Sequence, residues 1–317
     1  MLELLKRMAR RAGAIALGFS AAACASTGDT GSLTAADTAP PPATAKTPPA
    51  DYVPGPALWK VADGDTTIYL FGTVHALPPE TEWFDQRIEQ AFSASDEFVT
   101  EINMADQAAA GQTIAAQAML TTGGTLRDLM SEEDRLEYEQ ALVTLGLPES
   151  ALDPVEPWFA AMNLSLLPLL QSGYSPDTGV ELVLEMRAED KQRGALETIE
   201  EQIALFDMLP MEAQLAYLDQ TVASMPDAVS SLDAMVEQWL EGDAVELAEM
   251  LNSEMDNEEL YQRLLVDRNS NWVNWITQRM DAPGTVFIAV GAGHLAGNGS
   301  VQDQLGDRGF EVTRVWQ

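Results

Sequence analysis

Two apolar segments at opposite ends of the chain constrain its fold more than any other feature. Residues 68–71 and residues 286–290 are rich in large apolar side chains, and each segment is followed at once by Gly-x-x-His. A continuous apolar run of this length is typical of a strand whose two faces are both covered by other elements. The chain is therefore expected to be an α/β protein in which two widely separated segments share one local design.

The rest of the body is mainly helical in its spacing. Strand patterns are predicted at residues 58–71 with a turn at 62–65, at 98–102, at 285–290 and at 310–316. Helical patterns fill most of the chain between the third strand and residue 280, and prolines break the first part into short pieces. Residues 178–193 are predicted as an amphipathic helix that ends at Gly194, followed by an extended piece at 195–198. We therefore expect a mixed central sheet covered by many helices, with a helical insertion.

The first 50 residues have a composition unlike that of the body. Residues 1–23 carry a basic start, a short apolar run and a small-residue end, which is the layout of a secretory signal peptide. The apolar run is too short for an ordinary transmembrane helix. Residues 24–50 are dominated by Thr, Ala and Pro, so a disordered tether is expected there. Residues 51–317 then form the folded α/β domain.

Cys24 is the single cysteine of the chain and directly follows Ala21, Ala22 and Ala23. A single cysteine excludes an internal disulfide and a cluster of thiolate metal ligands. Its setting is similar to a bacterial lipobox, which favours lipidation of Cys24. Plain cleavage near Ala25, or an inert thiol in a discarded peptide, are the alternatives. We expect an exported protein, either periplasmic or anchored as a lipoprotein in a bacterial envelope.

The charge of the chain limits its partners. The formal net charge is −33, from 50 acidic and 17 basic residues. A body this acidic repels nucleic acid and anionic lipid surfaces and attracts cations. The simpler interpretation is a solvated surface tuned for solubility. We therefore expect no nucleic-acid partner, and contact with a membrane only through a lipid on Cys24.

The two histidines of the protein, His75 and His294, both close a strand-Gly-x-x-His segment, with Gly72 and Gly291 as the motif glycines. Ligands of open α/β sheets bind beyond the carboxyl ends of strands, where glycine lets the backbone turn or approach a bound group. Imidazole serves there as base, proton shuttle or metal ligand. A single histidine is more often a hydrogen-bonded loop residue, but the matched pair favours one shared site.

Two carboxylates follow predicted extended segments in the same way. Glu101 comes directly after the buried residues 98–100, and Glu197 follows Leu196 with a weaker claim. A carboxylate at a strand end can ligate a metal or fix the tautomer of an imidazole. In a chain this rich in acidic residues, surface charge is the alternative for either one.

Arg268 and Asn269 are further candidates on a helix whose apolar side includes Trp272. An arginine beside the site could clamp a carboxylate or stabilise an oxyanion. An ordinary salt bridge is the alternative, and from the residues alone it is the preferred one. We expect the tryptophans of this helix to pack in the core.

Five segments together resemble one family. They are FGTVHALP (71–78), FVTEI (98–102), GALETIEEQIALF (194–206), RNSNWVNWI (268–276) and VGAGHLAG (290–297). In this order they are similar to the TraB/GumN family, which includes the TIKI proteins, over roughly residues 57–317. The resemblance implies an α/β fold related to erythromycin esterase and the ChaN proteins, and TIKI members are metal-dependent proteases.

The resemblance also implies roles for individual residues. His75, Glu101 and His294 would be the catalytic or metal-binding set, and Arg268 would correspond to the site arginine of the esterase relatives. Where many members have Gly-Ile/Val-Asp, this chain has Gly179-Val180-Glu181, which puts a role for an acid at Glu181 in doubt.

The leading hypothesis is a metal-assisted hydrolase of a peptide, or of a small amide or ester, in the bacterial envelope. His75 and His294 would hold a divalent ion or share acid and base work, Glu101 would ligate the ion or activate water, and Arg268 would stabilise negative charge. Imidazoles with carboxylates suit Zn, Mn, Co or Fe, and the TIKI resemblance favours Mn or Co. The alternative is a non-catalytic protein that sequesters a peptide, a metal or a haem-like ligand, and a degenerate scaffold is a third possibility.

Overall fold

The computed structural model describes residues 53–103, 107–121, 123–253 and 258–316. The expected signal peptide, the tether and Cys24 lie outside these residues. The strands are β1 (Leu58–Ala62), β2 (Thr66–Thr73), β3 (Glu97–Thr100), β4 (Gln192–Ala195), β5 (Gly284–Gly291) and β6 (Val312–Arg314). The helices are α1 (Gln86–Ser93), α2 (Gln107–Gln117), α3 (Glu132–Thr144), α4 (Pro157–Gln171), α5 (Val180–Arg187), α6 (Ile199–Asp207), α7 (Met211–Ser224), α8 (Ala228–Glu241), α9 (Ala244–Ser253), α10 (Glu258–Tyr261), α11 (Asp267–Arg279) and α12 (Val301–Asp307).

The six strands form one mixed sheet in the order β4-β3-β5-β2-β1-β6. The four strands β4, β3, β5 and β2 are parallel to one another, whereas β1 pairs antiparallel with both β2 and β6. The expectation of an α/β fold with a mixed central sheet is therefore confirmed. The two strands of the Gly-x-x-His design lie side by side, with Gly72 opposite Val290 and Thr73 opposite Gly291.

Large side chains cover both faces of the central strands, as their continuous apolar runs predict. On one face Phe71, Phe98 and Phe287 pack in a cluster with Trp83 and Trp239. The opposite face carries a second cluster of aliphatic strand residues, which packs against α11 and α12. Burial on both faces explains why the strands show no alternation of apolar and polar residues.

The predicted insertion is helical and has a core of its own. Helices α2, α3 and α4 follow β3, and their buried side chains cluster with those of α6 and α7 around Trp158 and Phe159. Among the described residues, no helix combines the length and apolar character that crossing a bilayer requires.

One prediction about local structure is wrong. The helix expected over residues 178–193 ends at Arg187, and residues that were expected in its last turn form the edge strand β4. Gly194 is not the helix end: it lies in β4 opposite Val99, where an added Cβ would meet the Val99 side chain at 3.0 Å. A turn follows Arg187, and strand pairing with β3 outweighs the helical pattern at residues 192 and 193. The closing strand is also shorter than residues 310–316.

Candidate active site

The carboxyl ends of the four parallel strands lie at one edge of the sheet, and each is followed by a polar residue of interest. His75 follows β2, Glu101 follows β3, Glu197 follows β4 and His294 follows β5. The backbone continues the pairing beyond the strands, because the Glu197 N–H donates to the Glu101 carbonyl at 2.8 Å. The fold thus gathers side chains that are more than two hundred residues apart in sequence.

Three of these side chains converge on the α-carbon of Gly291. A Cβ added there would lie 3.2 Å from Glu101 Oε1, 3.6 Å from His294 Cδ2 and 3.7 Å from His75 Nε2. The Gly291 N–H also donates to Glu101 Oε1 at 2.8 Å. Glycine at this position therefore leaves open a small space that is bounded by two imidazoles and a carboxylate.

His75 is held by Glu181, the acidic residue whose role the departure from the family pattern had put in doubt. Its Nδ1 lies 2.6 Å from Glu181 Oε1, and Glu181 is buried at the start of α5. The Thr73 hydroxyl donates to the same oxygen of Glu181. Burial alone would lower the pKa of His75, but the Glu181 carboxylate outweighs it and the pKa rises to about 9. The imidazole is thus protonated at neutral pH, with its Nε2 turned toward the space beside Gly291.

Glycine also permits the close packing of the His75 segment on α5. Gly179 precedes α5, and an added Cβ there would collide with the His75 carbonyl group. The Val180 N–H donates to the carbonyl of Val74 at 3.0 Å. The loop that carries His75 is therefore joined by its backbone to the helix that carries Glu181.

Arg268 lies at the centre of the buried network, with a side chain only 4% exposed. Its Nε and Nη2 bind Glu197 at 2.8 and 2.9 Å, and Nη2 also binds Glu101 Oε2 at 2.6 Å. Its Nη1 lies 3.0 Å from His294 Nε2 and 3.2 Å from the Leu264 carbonyl. A guanidinium has five N–H donors, and these contacts engage all five. The expected role of Arg268 as an oxyanion stabiliser would require one of these bonds to break.

His294 is fixed through both ring nitrogens. Its Nδ1 lies 2.6 Å from Asn269 Oδ1, and its Nε2 faces the Arg268 guanidinium. Because Arg268 can only donate, we assign the proton to Nδ1, where it is donated to the Asn269 oxygen. Burial and then the charge of Arg268 hold the pKa of His294 well below its usual range. His294 is therefore neutral, and it packs against the Trp272 ring with centroids 4.2 Å apart.

Glu101 and Glu197 share a second donor. The amide Nε2 of Gln202, on α6, lies 2.9 Å from Glu101 Oε2 and 2.9 Å from Glu197 Oε2. The Trp272 Nε1 donates to Glu197 Oε1 at 2.9 Å. Trp272 packs in the core as expected, but its indole also holds a site carboxylate. Two neighbouring carboxylates are thus compensated by one guanidinium, one amide and one indole.

The expected metal set does not fit this arrangement. A divalent ion needs ligand atoms that face one point at about 2.0–2.2 Å, whereas His294 presents a ring carbon to the space beside Gly291 and uses both nitrogens elsewhere. Among the described residues, no group of three or more His, Cys, Asp or Glu side chains is placed to hold a metal. Ligation by His75, Glu101 and His294 together would require His294 to leave Arg268 or Asn269. The metal cofactor stays a prediction.

The cluster is nearly enclosed, and His75 is its most accessible charged member. The His75 side chain is 16% exposed, against 8% for Glu101 and 4% for Arg268. A cavity of about 650 Å³ opens behind the loop that follows His75 and is lined by Pro78, Thr178 and other residues outside the cluster. None of the charged side chains of the cluster lines this cavity.

The structure brings together the candidates that the sequence predicted, and adds three. His75, Glu101, Glu197, Arg268, Asn269 and His294 form one network, with Gly72 and Gly291 in the adjoining strands. The additions are Thr73, Glu181 and Gln202. Gln202 lies inside a segment that carries the family resemblance, and Glu181 replaces a residue that is Asp in many family members. These two signals could have identified Gln202 and Glu181 from the sequence.

The comparisons with known proteins agree with this architecture. The profile of the TraB/PrgY/gumN family matches residues 57–314. The uncharacterized protein YbaP of Escherichia coli K12 is 25% identical over 252 residues, which cover 79% of this chain and 92% of YbaP. Metalloprotease TIKI2 of Danio rerio is 25% identical over 303 residues, covering 77% of this chain and 57% of that protein. Metalloprotease TIKI1 of the same fish is 24% identical over 80% of this chain and 62% of its own. No solved structure matches significantly.

Proposed function

Because the chain belongs to the TraB/PrgY/gumN family, we propose that it is a hydrolase of peptide bonds or of related small amides or esters. Two relatives carry the name metalloprotease, which supports bond hydrolysis as the class of reaction.

One observation carries the proposal: the convergence of His75 Nε2, Glu101 Oε1 and the His294 ring around Gly291. An acid and a carboxylate that border the same small space are what hydrolysis requires, since water must be activated while the leaving group receives a proton. The opposite pKa shifts of the two buried histidines support a division of labour between them.

His75 is the proton donor of the proposed reaction. Its Nδ1 is bound to Glu181, so the Nε2 proton is directed toward the space beside Gly291. Glu101 Oε1 borders the same space and takes a proton from the attacking water, which balances the proton that His75 gives to the leaving group. His294 and Arg268 act as positioning residues: Arg268 binds Glu101 directly, and His294 holds the Nη1 end of the guanidinium.

A cleavage assay on peptide libraries, with matched ester and amide substrates, tests the function. We expect wild-type protein to produce fragments and His75→Gln to lose hydrolysis, while Glu185→Gln, which alters an ion pair with Arg193 on the surface of α5, retains it. Mass spectrometry distinguishes hydrolysis from sequestration, because capture leaves the peptide intact. Full activity of His75→Gln, or binding without fragments, would contradict the proposal.

We further propose that the protein is exported and works in a bacterial envelope, with Cys24 as the lipidated residue. The support is the order of basic, apolar and small residues before Cys24. Intact mass measurement of the protein from a bacterial host tests it. A lipidated N-terminus at Cys24, lost in Cys24→Ala, is expected, and an unmodified N-terminus near Ala25 would favour plain cleavage instead.

A further inference from the structure

The atoms around the Arg268 guanidinium are those that a divalent cation prefers. Both oxygens of Glu197, Oε2 of Glu101 and Nε2 of His294 all lie 2.6–3.0 Å from its nitrogens. Two carboxylates and one imidazole are donor types that suit Mn, Co, Zn or Fe, but here they are spaced around the three nitrogens of a guanidinium. In this chain these atoms surround the Arg268 guanidinium and not a metal ion.

The charges of the side chains around Arg268 also require a cation at this position. The Glu101 and Glu197 carboxylates lie close enough to share the Gln202 amide, and two such charges cannot stay buried together without a nearby cation. Arg268 supplies this cation at the point where the three acidic and imidazole side chains meet. A metal ion at that point would have to displace a guanidinium that makes five hydrogen bonds.

We infer that Arg268 is the resident cation of this site, so that the wild-type chain has no tight divalent-ion site there and loss of the guanidinium creates one. The inference concerns ion binding and does not depend on hydrolysis, so it is tested even if no cleavable substrate is found.

A surface arginine offers a matched control. Arg127 binds Asp153 through two parallel bonds of 2.7 and 2.8 Å and Glu139 through a third of 2.8 Å. This cluster has the same number of carboxylates around one guanidinium but lies nearer to solvent, and none of these contacts involves a histidine. Arg127→Ala therefore removes an equivalent ion pair network without exposing an imidazole ligand.

The experiment measures metal content and affinity in wild type, Arg268→Ala, Arg268→Lys and Arg127→Ala, all purified without a polyhistidine tag. Each protein is incubated with Mn²⁺, Co²⁺ or Zn²⁺, dialysed, and measured by elemental analysis and calorimetry. We expect Arg268→Ala to retain about one ion per chain, since three protein side chains with a water can hold a divalent ion, and to show visible Co²⁺ absorption. Wild type, Arg268→Lys and Arg127→Ala should retain none, since a lysine ammonium keeps a positive charge in the pocket.

Two results would overturn the inference. One is a wild-type protein that keeps about one ion per chain and loses it in Glu101→Gln, because the metal would then coexist with Arg268. The other is a folded Arg268→Ala that binds no more metal than Arg127→Ala. If Arg268→Ala does not fold, the metal content of wild type and of Arg268→Lys still decides the question, because the inference requires both to lack a tightly bound ion.

Discussion

His75 Nδ1 lies 2.6 Å from Oε1 of Glu181, and this contact sets the charge of the most accessible histidine of the cluster. Burial opposes a charged imidazole, but the carboxylate more than compensates, so the pKa of His75 rises from 6.5 to about 9. The histidine is therefore held as a cation over the physiological range, and Glu181 fixes which ring nitrogen faces the space beside Gly291.

The pH dependence of the protein's stability should reflect the His75–Glu181 pair. Since the pKa of His75 is higher in the folded state, its contribution is complete below pH 6.5 and is lost as the pH rises through about 9. Glu181→Gln should remove a contribution on the order of 3 kcal/mol at neutral pH and flatten the slope between these values. Denaturant unfolding across the pH range measures it. A wild-type slope retained in Glu181→Gln would contradict the assignment.

The rate of the proposed hydrolysis should fall at alkaline pH. If protonated His75 donates the proton, kcat/KM stays level near neutrality and falls about tenfold per pH unit above pH 9. Glu181→Gln should move this fall in rate to lower pH, because burial lowers the pKa of His75 and only Glu101 is then left to raise it. The pH profiles of wild type and variant on one substrate test this. A rate that rises through pH 9 would mean that His75 acts as a base.

Loss of His294 should destabilise the fold, because this buried side chain has partners on both ring nitrogens. His294→Ala leaves one Arg268 N–H and the Asn269 oxygen buried without their partner and opens a cavity against Trp272. We expect a cost of about 2–4 kcal/mol. Urea unfolding of this variant measures the cost. A decrease in the free energy of unfolding of less than about 0.5 kcal/mol, the usual range of surface substitutions, would argue against a role of His294 in holding Arg268 and Asn269.

A single methyl group at Gly291 should block the site without unfolding the protein. Gly291→Ala places a Cβ 3.2 Å from Glu101 Oε1 and within 4 Å of both imidazoles. We expect hydrolysis to fall by about 100-fold or more, because small displacements of catalytic groups cost this much. Gly306→Ala is the control, since a Cβ there meets nothing within 4 Å. Equal activity of the two variants would show that the space beside Gly291 is not used.

The stability of the protein should depend on Gln202, although this side chain carries no charge. Gln202→Leu removes the amide that serves both Glu101 and Glu197, and should cost about 1–3 kcal/mol because two buried acceptors lose a donor. Gln202→Glu should cost more at neutral pH, since it adds a third carboxylate beside the first two. Thermal unfolding of both variants at pH 5 and pH 8 compares them. A Gln202→Glu protein as stable as Gln202→Leu at pH 8 would contradict this interpretation.

The sequence predicts the strands of this fold better than the contacts of its site. Continuous apolar runs identify β2 and β5, and the glycines and histidines behind them identify where the site is, because the carboxyl ends of parallel strands meet. The edge strand β4 was predicted too late in the chain, as an extended piece at 195–198, since residues 192 and 193 have no apolar run and are held in the strand by pairing with β3. Short edge strands depend on their neighbours more than on their own residues.

The division of roles within the site could not be predicted from the residue types. His75 and His294 occupy the same motif, yet one is paired with a carboxylate and the other with an arginine. Their partners come from α5 and α11, and nothing in the spacing of Glu181 or Arg268 indicates which histidine each will reach. From the residues alone a salt bridge was the preferred interpretation of Arg268, and the structure shows ion pairs of Arg268 with Glu101 and Glu197.

The position of β5 has a consequence for how the molecule matures. This strand comes late in the chain but lies between β3 and β2 in the middle of the sheet. Until it is inserted, β2 and β3 lack their common neighbour, and neither Gly291 nor His294 is in place. A nascent chain that has not yet reached β5 therefore lacks the strand that joins β2 to β3, and the complete cluster of side chains forms only after residue 294 has been added.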